Sequence, residues 1–314
     1  MAEPTRLLLK LSQRLFPTEE DAAAFVSCLT QPQPLHPCIL WRDPRSETSP
    51  FECIDPLSWQ PAFVDRLVLG QRPGQHPLHD QGAFYCLDFS SVFAASVLLN
   101  VPQPIETAID VCASPGGKSI FAWLALQPSR LVSNEVIGKR MAQLISNLKR
   151  CRIAPAIARN LDPKILADEI PQTAQVVIVD TPCSGQSLLA KGGKAPGCFH
   201  PVTINGNAKR QKRILANAAQ LVAGQGYLAY MTCTYSPAEN EEVVEWLCDR
   251  FPQFQAVDVP HLSEFQSQYA VFPCYRLFPQ SGLGAGAFTA LLRNTKFTPP
   301  NPLPEEFLQR ARYL

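Results

Sequence analysis

Two cysteines follow candidate strands at positions where a thiol could act as a nucleophile. Cys183 lies just after the apolar run Val176–Asp180, and Cys233 lies just after Gly226–Met231. A single cysteine is often no more than a small packing residue. Two of them at corresponding ends of successive strands, one beside an aspartate and a proline, are much harder to explain as packing residues alone and are candidate functional thiols.

A glycine-containing turn follows the candidate strand Thr107–Val111 and leads into a helix. Glycines at such a turn let a ligand approach the backbone beside the helix N-terminus, so this turn is a candidate ligand-binding loop that does not by itself identify the ligand. The end of the loop, Gly117-Lys118-Ser119, also matches the tail of a P-loop, although a P-loop would have glycine in place of Cys112. A P-loop NTPase therefore remains an alternative. The predicted loop residues are Cys112, Ala113, Ser114, Pro115, Gly116, Gly117 and Lys118.

Acidic residues follow the next two candidate strands. Glu135 ends the second strand, where a carboxylate can accept hydrogen bonds from both ribose hydroxyls of a bound nucleoside. Asp162 follows the third strand, where it could meet an adenine. Each residue also has a purely structural interpretation, Glu135 as an acid at a helix N-terminus and Asp162 as a turn residue before Pro163.

The elements that must position these residues alternate between strand and helix from about Phe84 onward. Apolar strands that alternate with helices predict an α/β fold with a parallel sheet covered by helices on both faces. The predicted strands are Thr107–Val111, Leu131–Glu135, Ala156–Arg159, Val176–Asp180, Gly226–Met231 and Ala287–Arg293. The predicted helices are Lys118–Leu126, Gly138–Arg150, Asn207–Val222 and Pro237–Phe251, the last opened by a capping box from Ser236 to Glu239.

The first 80 or so residues have a different pattern. Helical spacing covers Arg6–Phe16, and Thr18 is placed to cap a second helix, Glu19–Leu29. Short apolar runs at Cys38–Trp41 and Arg66–Leu69 predict strands. The sequence thus predicts a small α+β module over residues 1–80 and a larger domain over residues 81–314.

Composition limits the classes of protein that fit. The chain has 314 residues, 46% of them hydrophobic, a net charge of +1 and 11 cysteines. It has no run of 18 apolar residues, and Met1–Lys10 lacks the pattern of a signal peptide, so we expect a cytoplasmic protein without a membrane span. An odd cysteine count and no C-x-x-C spacing predict free thiols and no metal site.

Three motifs resemble those of the Fmu/Sun family of RNA cytosine-5 methyltransferases. They are Asp110–Lys118, Asp180–Gly185 and Thr232–Asn240, and Arg276 with Pro279 and residues 286–288 resembles the family's C-terminal strand. The resemblance covers roughly residues 80 to 295. Departures are Thr181 and Ser114, which stand where the family commonly has alanine, and Tyr85–Asp88, which replaces a segment that often contains glutamine.

The resemblance implies a Rossmann-like class I methyltransferase sheet, in which the strands ending at Asp110, Asp180 and Thr232 lie side by side. It also implies S-adenosyl-L-methionine as cofactor, held by the Cys112–Lys118 loop with Glu135, Arg140, Asp162 and Asp180. Cys233 would be the nucleophile, Cys183 would assist release of the RNA adduct, and Asp180 would face the cytosine or the cofactor.

The implied partner is ribosomal or transfer RNA, with the target cytosine single-stranded or flipped out of a duplex. We expect the basic stretch and the N-terminal module to contact that RNA, and we expect a monomer. The stretch could also be an ordinary solvated helix face, and a catalytically silent RNA-binding scaffold remains a second alternative. The basic residues are Lys191, Lys194, Lys209, Arg210, Lys212 and Arg213.

Overall fold

The computed structural model describes residues 3–43 and 49–314; residues 1–2 of the Met1–Lys10 segment and residues 44–48 of the predicted N-terminal module lie outside the described residues. The strands are β1 (Cys38–Trp41), β2 (Val64–Arg66), β3 (Phe84–Cys86), β4 (Thr107–Asp110), β5 (Arg130–Asn134), β6 (Ala156–Arg159), β7 (Ala174–Asp180), β8 (Val222–Thr232), β9 (Phe254–Ala256), β10 (Tyr275–Leu277), β11 (Ala287–Asn294) and β12 (Arg312–Tyr313). The helices are α1 (Arg6–Leu15), α2 (Glu19–Thr30), α3 (Pro77–Asp80), α4 (Phe89–Ala95), α5 (Gly117–Leu126), α6 (Gly138–Arg150), α7 (Pro163–Glu169), α8 (Pro201–Leu221), α9 (Glu241–Arg250) and α10 (Glu305–Gln309).

The alternation of side chains along β7 explains the two-sided sheet. Val176 and Ile178 pack into one hydrophobic core, together with α5 and α6. Val177 and Val179 point the other way, into a second core with α7, α8 and α9. Because successive strand residues face opposite sides, an all-apolar strand needs helices on both faces. The predicted α/β sheet with helices on both faces is confirmed.

The order of strands in the large sheet is β10-β11-β8-β7-β4-β5-β6-β12, with β9 paired to β11. The strands from β8 to β6 in this order run parallel, and β10, β11, β9 and β12 pair antiparallel to their neighbours. The direction of winding reverses between β4 and β7. In an open α/β sheet, the carboxyl ends of the strands at such a reversal form the crevice where ligands bind.

The N-terminal part contains two helices and a small sheet. Helices α1 and α2 pack against Tyr235 and Ala285, close to the end of β8. The small sheet has the order β2-β1-β3, with Leu40 paired to Val64 and to Tyr85. The predicted N-cap of α2 is confirmed, because the Thr18 hydroxyl accepts a hydrogen bond from the Asp21 N–H. Among the described residues, no helix is both long and apolar enough to cross a membrane.

Several predicted elements have other bounds in the structure. The strand predicted at Arg66–Leu69 lies instead at Val64–Arg66, because its partner β1 starts at Cys38 and the preceding proline has no N–H to extend the ladder. The helix predicted from Pro237 begins only at Glu241, after a single 3₁₀ turn over Pro237–Glu239. Helix α8 also starts earlier than predicted, where the His200 side chain accepts a hydrogen bond from the Val202 N–H.

Candidate active site

A cavity of about 650 Å³ opens at the carboxyl ends of β4, β5, β7 and β8. Its walls come from the loops that follow these strands and from the start of β11, while α8 forms one rim. Most of the residues predicted for the site line this one cavity. They are Cys112, Ser114, Pro115, Lys118, Glu135, Arg140, Asp162, Asp180, Cys183 and Cys233.

Three predicted loop residues are not among those that line the cavity. Ala113 is buried in a hydrophobic core. Gly116 has a φ of +114°, and a side chain there would lie 3.3 Å from Leu144 on α6. A Cβ on Gly117 would come within 2.6 Å of Leu87. In this structure the two glycines therefore allow α5 to pack closely against its neighbours, and their contact with a cofactor stays a prediction.

The two cysteines meet at the ends of neighbouring strands. Strands β7 and β8 pair in parallel, with Asp180 opposite Met231, so the loops that follow them lie side by side. The sulfur of Cys183 is 3.0 Å from the sulfur of Cys233. The Ser187 N–H also donates to the Cys233 carbonyl at 3.2 Å, and Cys233 lines the open cavity. The structure thus brings together two thiols that are 50 residues apart in the chain.

The surroundings of the two thiols shift their pKa values in opposite directions. The hydrogen bond with Cys183 lowers the pKa of Cys233, assisted by Ser187 and Lys118, against the opposing effects of burial and Asp180. The same hydrogen bond, together with burial and the Glu239 carboxylate, raises the pKa of Cys183 well above its usual value. A thiolate is the nucleophilic form of cysteine, and of the two sulfurs Cys233 is the one whose pKa is shifted toward that form.

Lys118 pairs with Asp180 at the floor of the cavity. Its Nζ donates to an Asp180 oxygen at 2.9 Å, and the lysine side chain is only 10% exposed. Burial by itself would lower the pKa of Lys118, but the charges and hydrogen bond of its acidic neighbours, Asp180 first, raise it. Next to the pair, burial raises the pKa of Asp110 to about 7 although Ser119 donates a hydrogen bond to it.

Glu135 and Arg140 stand together at the end of the cavity that follows β5. One Glu135 oxygen accepts from the Ile137 N–H at 2.9 Å, and the other lies 3.3 Å from Arg140. That second oxygen is buried and has no hydrogen-bond partner among the described residues. Arg140 is itself fixed to the cofactor loop, since its guanidinium donates to the Ser114 carbonyl at 2.5 Å. An acceptor left free in a buried wall suits a ligand hydroxyl.

Two apolar residues at this end of the cavity were not predicted. Val136 and Ile137 follow Glu135 directly, are 49% and 40% exposed, and line the cavity. Exposed apolar side chains beside a polar anchor form a surface on which a flat ring can pack. Asp162 lies in the same wall, where it caps α7 by accepting from the Lys164 N–H at 2.9 Å. A pair of apolar residues after a strand-ending acid was the available signal.

Buried polar side chains hold the Cys233 loop from below. The Asn240 amide donates to the Thr234 carbonyl at 2.9 Å and accepts from the Thr232 hydroxyl at 2.6 Å. Gln186, from the Cys183 loop, accepts from the Tyr235 N–H at 2.9 Å. The Thr232–Asn240 motif included Thr232, Thr234 and Asn240 without giving them a role, and no pattern singled out Gln186.

The predicted capping box is wrong for a related reason. Ser236 makes no side-chain capping hydrogen bond, and the Glu239 carboxylate does not return to the backbone of Ser236. It reaches instead into the Cys183 loop, where Ser184 donates to it. Glu239 is completely buried. Hydrogen-bond donors of another loop therefore outcompeted the local cap.

The predicted basic stretch divides into separate groups. Lys191, Arg210 and Arg213 line the cavity, whereas Lys194, Lys209 and Lys212 are not among its lining residues. The Lys191 amine lies 3.1 Å from an Asp88 carboxylate oxygen, and the Arg213 guanidinium lies 3.9 Å from an Asp162 carboxylate oxygen. Lys212 lies over the Trp246 ring, on another side of α8. Only part of the stretch therefore faces the site.

Comparisons with known proteins identify relatives of this chain. Residues 96–293 match the family model described as 16S rRNA methyltransferase RsmB/F. A Pectobacterium carotovorum protein named ribosomal RNA small subunit methyltransferase F is 29% identical over 80% of this chain and 53% of its own length. The protein of the same name from Klebsiella pneumoniae is 31% identical over 80% of this chain and 55% of its own length. The chain spans about half the length of these curated relatives.

Solved structures share the fold. The crystal structure of PH0851 superposes with a TM-score of 0.77 at 21% identity, covering 93% of this chain and 69% of that one. NSun6 from Pyrococcus horikoshii, solved with SFG, gives a TM-score of 0.71 at 19% identity, covering 93% of this chain and 99% of that one. These similarities confirm the predicted Rossmann-like methyltransferase fold.

Proposed function

Since this chain belongs to the RsmB/F family of 16S rRNA methyltransferases, we propose that it transfers a methyl group from S-adenosyl-L-methionine to carbon 5 of a cytosine in RNA. The family favours ribosomal RNA over transfer RNA as the substrate. It also argues against the P-loop NTPase that the Gly117–Ser119 tail had left open. The Lys118 contact also counts against a P-loop, because its amine donates to Asp180, whereas the lysine of a P-loop reaches the nucleotide phosphates.

One observation carries the choice of reaction. Two cysteines from neighbouring strands line the cavity with their sulfurs 3.0 Å apart, and the pKa of one is lowered while that of the other is raised. Carbon 5 of cytosine is a weak nucleophile and needs activation through carbon 6. A thiolate that adds there and a protonated thiol beside it are the two groups that such a reaction requires.

The proposed sequence begins with the Cys233 thiolate. It forms a bond to carbon 6, and the electron pair of the 5,6 double bond moves onto carbon 5. S-adenosyl-L-methionine, when bound, supplies the methyl group to this carbon. Loss of the carbon-5 proton to solvent then restores the double bond and breaks the bond to Cys233. The Cys183 thiol stabilises the negative charge that returns to the departing sulfur.

The opposite end of the cavity supplies the cofactor site in this proposal. The free Glu135 oxygen would accept hydrogen bonds from the ribose hydroxyls, with Arg140 and the Cys112–Lys118 loop beside it. Val136 and Ile137 would cover one face of the adenine, with Asp162 at its edge. Lys118 and Asp180 stand between this end and the cysteines, where Asp180 would accept from the cytosine amino group.

The proposal is tested by substituting each cysteine. Cys233→Ser should abolish methyl transfer while binding of S-adenosyl-L-methionine survives. Cys183→Ser should form the bond to carbon 6 and then stall, giving a protein–RNA complex that resists denaturing electrophoresis. The complex should be absent from the Cys183→Ser, Cys233→Ser double variant, which is the matched control.

Three results would each contradict a part of the proposal. Normal turnover by Cys233→Ser would exclude it as the nucleophile. Turnover by Cys183→Ser without any trapped complex would make Cys183 a packing residue. If the wild-type protein binds RNA but transfers no methyl group to 16S rRNA or to total RNA, the silent scaffold is the correct function.

A further inference from the structure

A carboxylate buried between the two cysteine loops makes no contact with the reacting atoms in the chemistry above, although its charge helps to raise the pKa of Cys183. One oxygen of Glu239 accepts from the Ser184 N–H at 2.8 Å and from the Gln211 amide at 3.1 Å. The other oxygen lies 2.6 Å from the Ser184 hydroxyl and 3.4 Å from the Thr234 hydroxyl. Four donor groups from three residues thus surround one fully buried acidic side chain. Because the Ser184 and Thr234 hydroxyls also contact each other and have one proton each, one of them donates to the other. An ionised carboxylate, which only accepts hydrogen bonds, suits this arrangement.

The donors come from the residues next to the two sulfurs. Ser184 directly follows Cys183, and Thr234 directly follows Cys233. Their hydroxyl oxygens lie 2.8 Å apart, so the contact between the loops below the sulfurs is polar. Because neighbouring Cα atoms along a chain are held about 3.8 Å apart, the position of Ser184 or Thr234 restricts the position of the adjacent cysteine.

Gln211 extends the arrangement to α8. Its amide donates to the Glu239 carboxylate and also to the Pro182 carbonyl at 3.1 Å. Helix α8 carries Arg210 and Arg213 into the wall of the cavity. Glu239 therefore joins three parts of the site: the Cys183 loop, the Cys233 loop and the helix at the basic rim.

We propose that Glu239 is a positioning residue that holds the Cys183 and Cys233 sulfurs at the separation the two-cysteine reaction needs. This inference rests on the function proposed above. A buried carboxylate is costly to desolvate, and for a purely structural contact an apolar side chain of similar size would often serve as well. Here each of its four polar contacts orients a residue beside a sulfur or on α8.

The first experiment compares Glu239→Ala, Glu239→Asp and Glu239→Gln with the wild-type protein, using 16S rRNA transcribed in vitro. Glu239→Ala and Glu239→Asp should lower kcat about 100-fold, because a displacement near 1 Å at reacting groups has effects of this order. The KM for S-adenosyl-L-methionine should stay within about twofold, since the cofactor end is untouched. Glu239→Gln should retain most activity, because its oxygen accepts from Ser184 and Gln211 while its amide donates to the two hydroxyls.

Asn294→Ala is the matched control for lost stability. Asn294 is also buried and donates to the Val222 and Ala223 carbonyls, at the start of β8 rather than at its end. The control should lower the Tm and leave kcat unchanged at temperatures where the protein is folded. A loss of kcat equal to that of Glu239→Ala would mean that destabilisation alone explains both variants.

A second measurement does not depend on methyl transfer. Diamide removes one hydrogen from each of two thiols, which form a disulfide, while its N=N bond is reduced to the hydrazine. Closure of the Cys183–Cys233 disulfide, followed by peptide mass spectrometry, therefore reports how close the two sulfurs are. Glu239→Ala should close this disulfide about tenfold more slowly, whereas Glu239→Gln and Asn294→Ala should match the wild-type rate.

The outcomes separate this inference from the function on which it rests. Wild-type turnover in Glu239→Asp, or a wild-type diamide rate in Glu239→Ala, overturns the positioning role. A wild-type protein without methyl transfer overturns the proposed function, while the diamide rates still decide the role of Glu239. Should Glu239→Ala fail to fold, Glu239→Asp and Glu239→Gln decide the question.

Discussion

Lys118 places a buried positive charge beside both Asp180 and Cys233. Its amine donates to Asp180, and its charge helps to lower the pKa of Cys233. The sequence placed the residue correctly at the cavity but gave no information about which of several acids it would meet. That depends on the order of β4 and β7 in the sheet, which a local motif does not contain.

Removing the lysine charge should make Cys233 less acidic. With Lys118 present, the thiolate is favoured, so alkylation of Cys233 by iodoacetamide should reach half its maximal rate at a pH below that of an ordinary thiol. Lys118→Met removes the cation and leaves Asp180 unneutralised, and both changes raise the pKa. We therefore expect the alkylation profile to shift to higher pH. Lys149→Met, an exposed site at the end of α6, should leave it unchanged; identical profiles in all three proteins would contradict this account.

Glu135 offers a direct test of the cofactor end. Glu135→Ala should weaken binding of S-adenosyl-L-methionine by about 2 to 3 kcal/mol, the size expected for two partly charge-assisted hydrogen bonds. Glu135→Gln keeps an acceptor for the Ile137 N–H and should lose less. Isothermal calorimetry measures both, and RNA affinity serves as the internal control. An unchanged cofactor affinity in Glu135→Ala would place the ribose elsewhere.

Runs of apolar residues predicted the strands of the large sheet well. The prediction for Ala156–Arg159 matches β6 in full, and β7 begins two residues before the predicted Val176. Helix boundaries were less predictable where a polar residue had a distant partner. Glu239 suited a capping box by its spacing, but the donors on Ser184 come from a loop 55 residues earlier. Such competition between local and distant hydrogen bonds leaves no mark in the local pattern.

The orientation of helix α8 leads to a prediction about RNA binding that the sequence alone does not give, because it separates the basic residues that face the cavity from those that do not. Arg210 and Arg213 face the cavity, whereas Lys209 and Lys212 do not line it. Arg210→Gln with Arg213→Gln should reduce the slope of log affinity against log salt by about 1.4, since each lost phosphate contact on a single strand removes roughly 0.7. Lys209→Gln with Lys212→Gln removes the same charge and should change the slope little. Equal slopes for the two pairs would identify the face as an ordinary solvated surface.

The N-terminal helices pack against the loop that carries Cys233, far from them in the chain. Phe25 on α2 is fully buried and meets the Tyr235 ring edge to face, with centroids 4.9 Å apart. Tyr235 lies two residues after Cys233, and its hydroxyl donates to the Ala285 carbonyl at 2.5 Å. The sequence predicted the helix and its Thr18 cap, but contacts over more than 200 residues cannot be read from periodicity. RNA contact by the N-terminal module stays a prediction.

This packing leads to a prediction that separates stability from catalysis. Phe25→Ala should lower the free energy of unfolding by about 3 to 5 kcal/mol, as large-to-small changes at buried phenylalanines do. The matched control is Phe84→Ala, a residue equally buried in the cluster of the small sheet with Trp41 and Phe51. Urea denaturation should show similar losses for the two variants.

Turnover should then distinguish them, because only Phe25 contacts a residue of the Cys233 loop. At a temperature where circular dichroism shows both variants folded, Phe25→Ala should have a lower kcat and slower Cys183–Cys233 closure by diamide. Phe84→Ala should match the wild-type protein in both measurements. Equal kcat in the two variants would mean that the N-terminal helices contribute stability alone, and that the Cys233 loop keeps its geometry through Glu239, Asn240 and Gln186 without them.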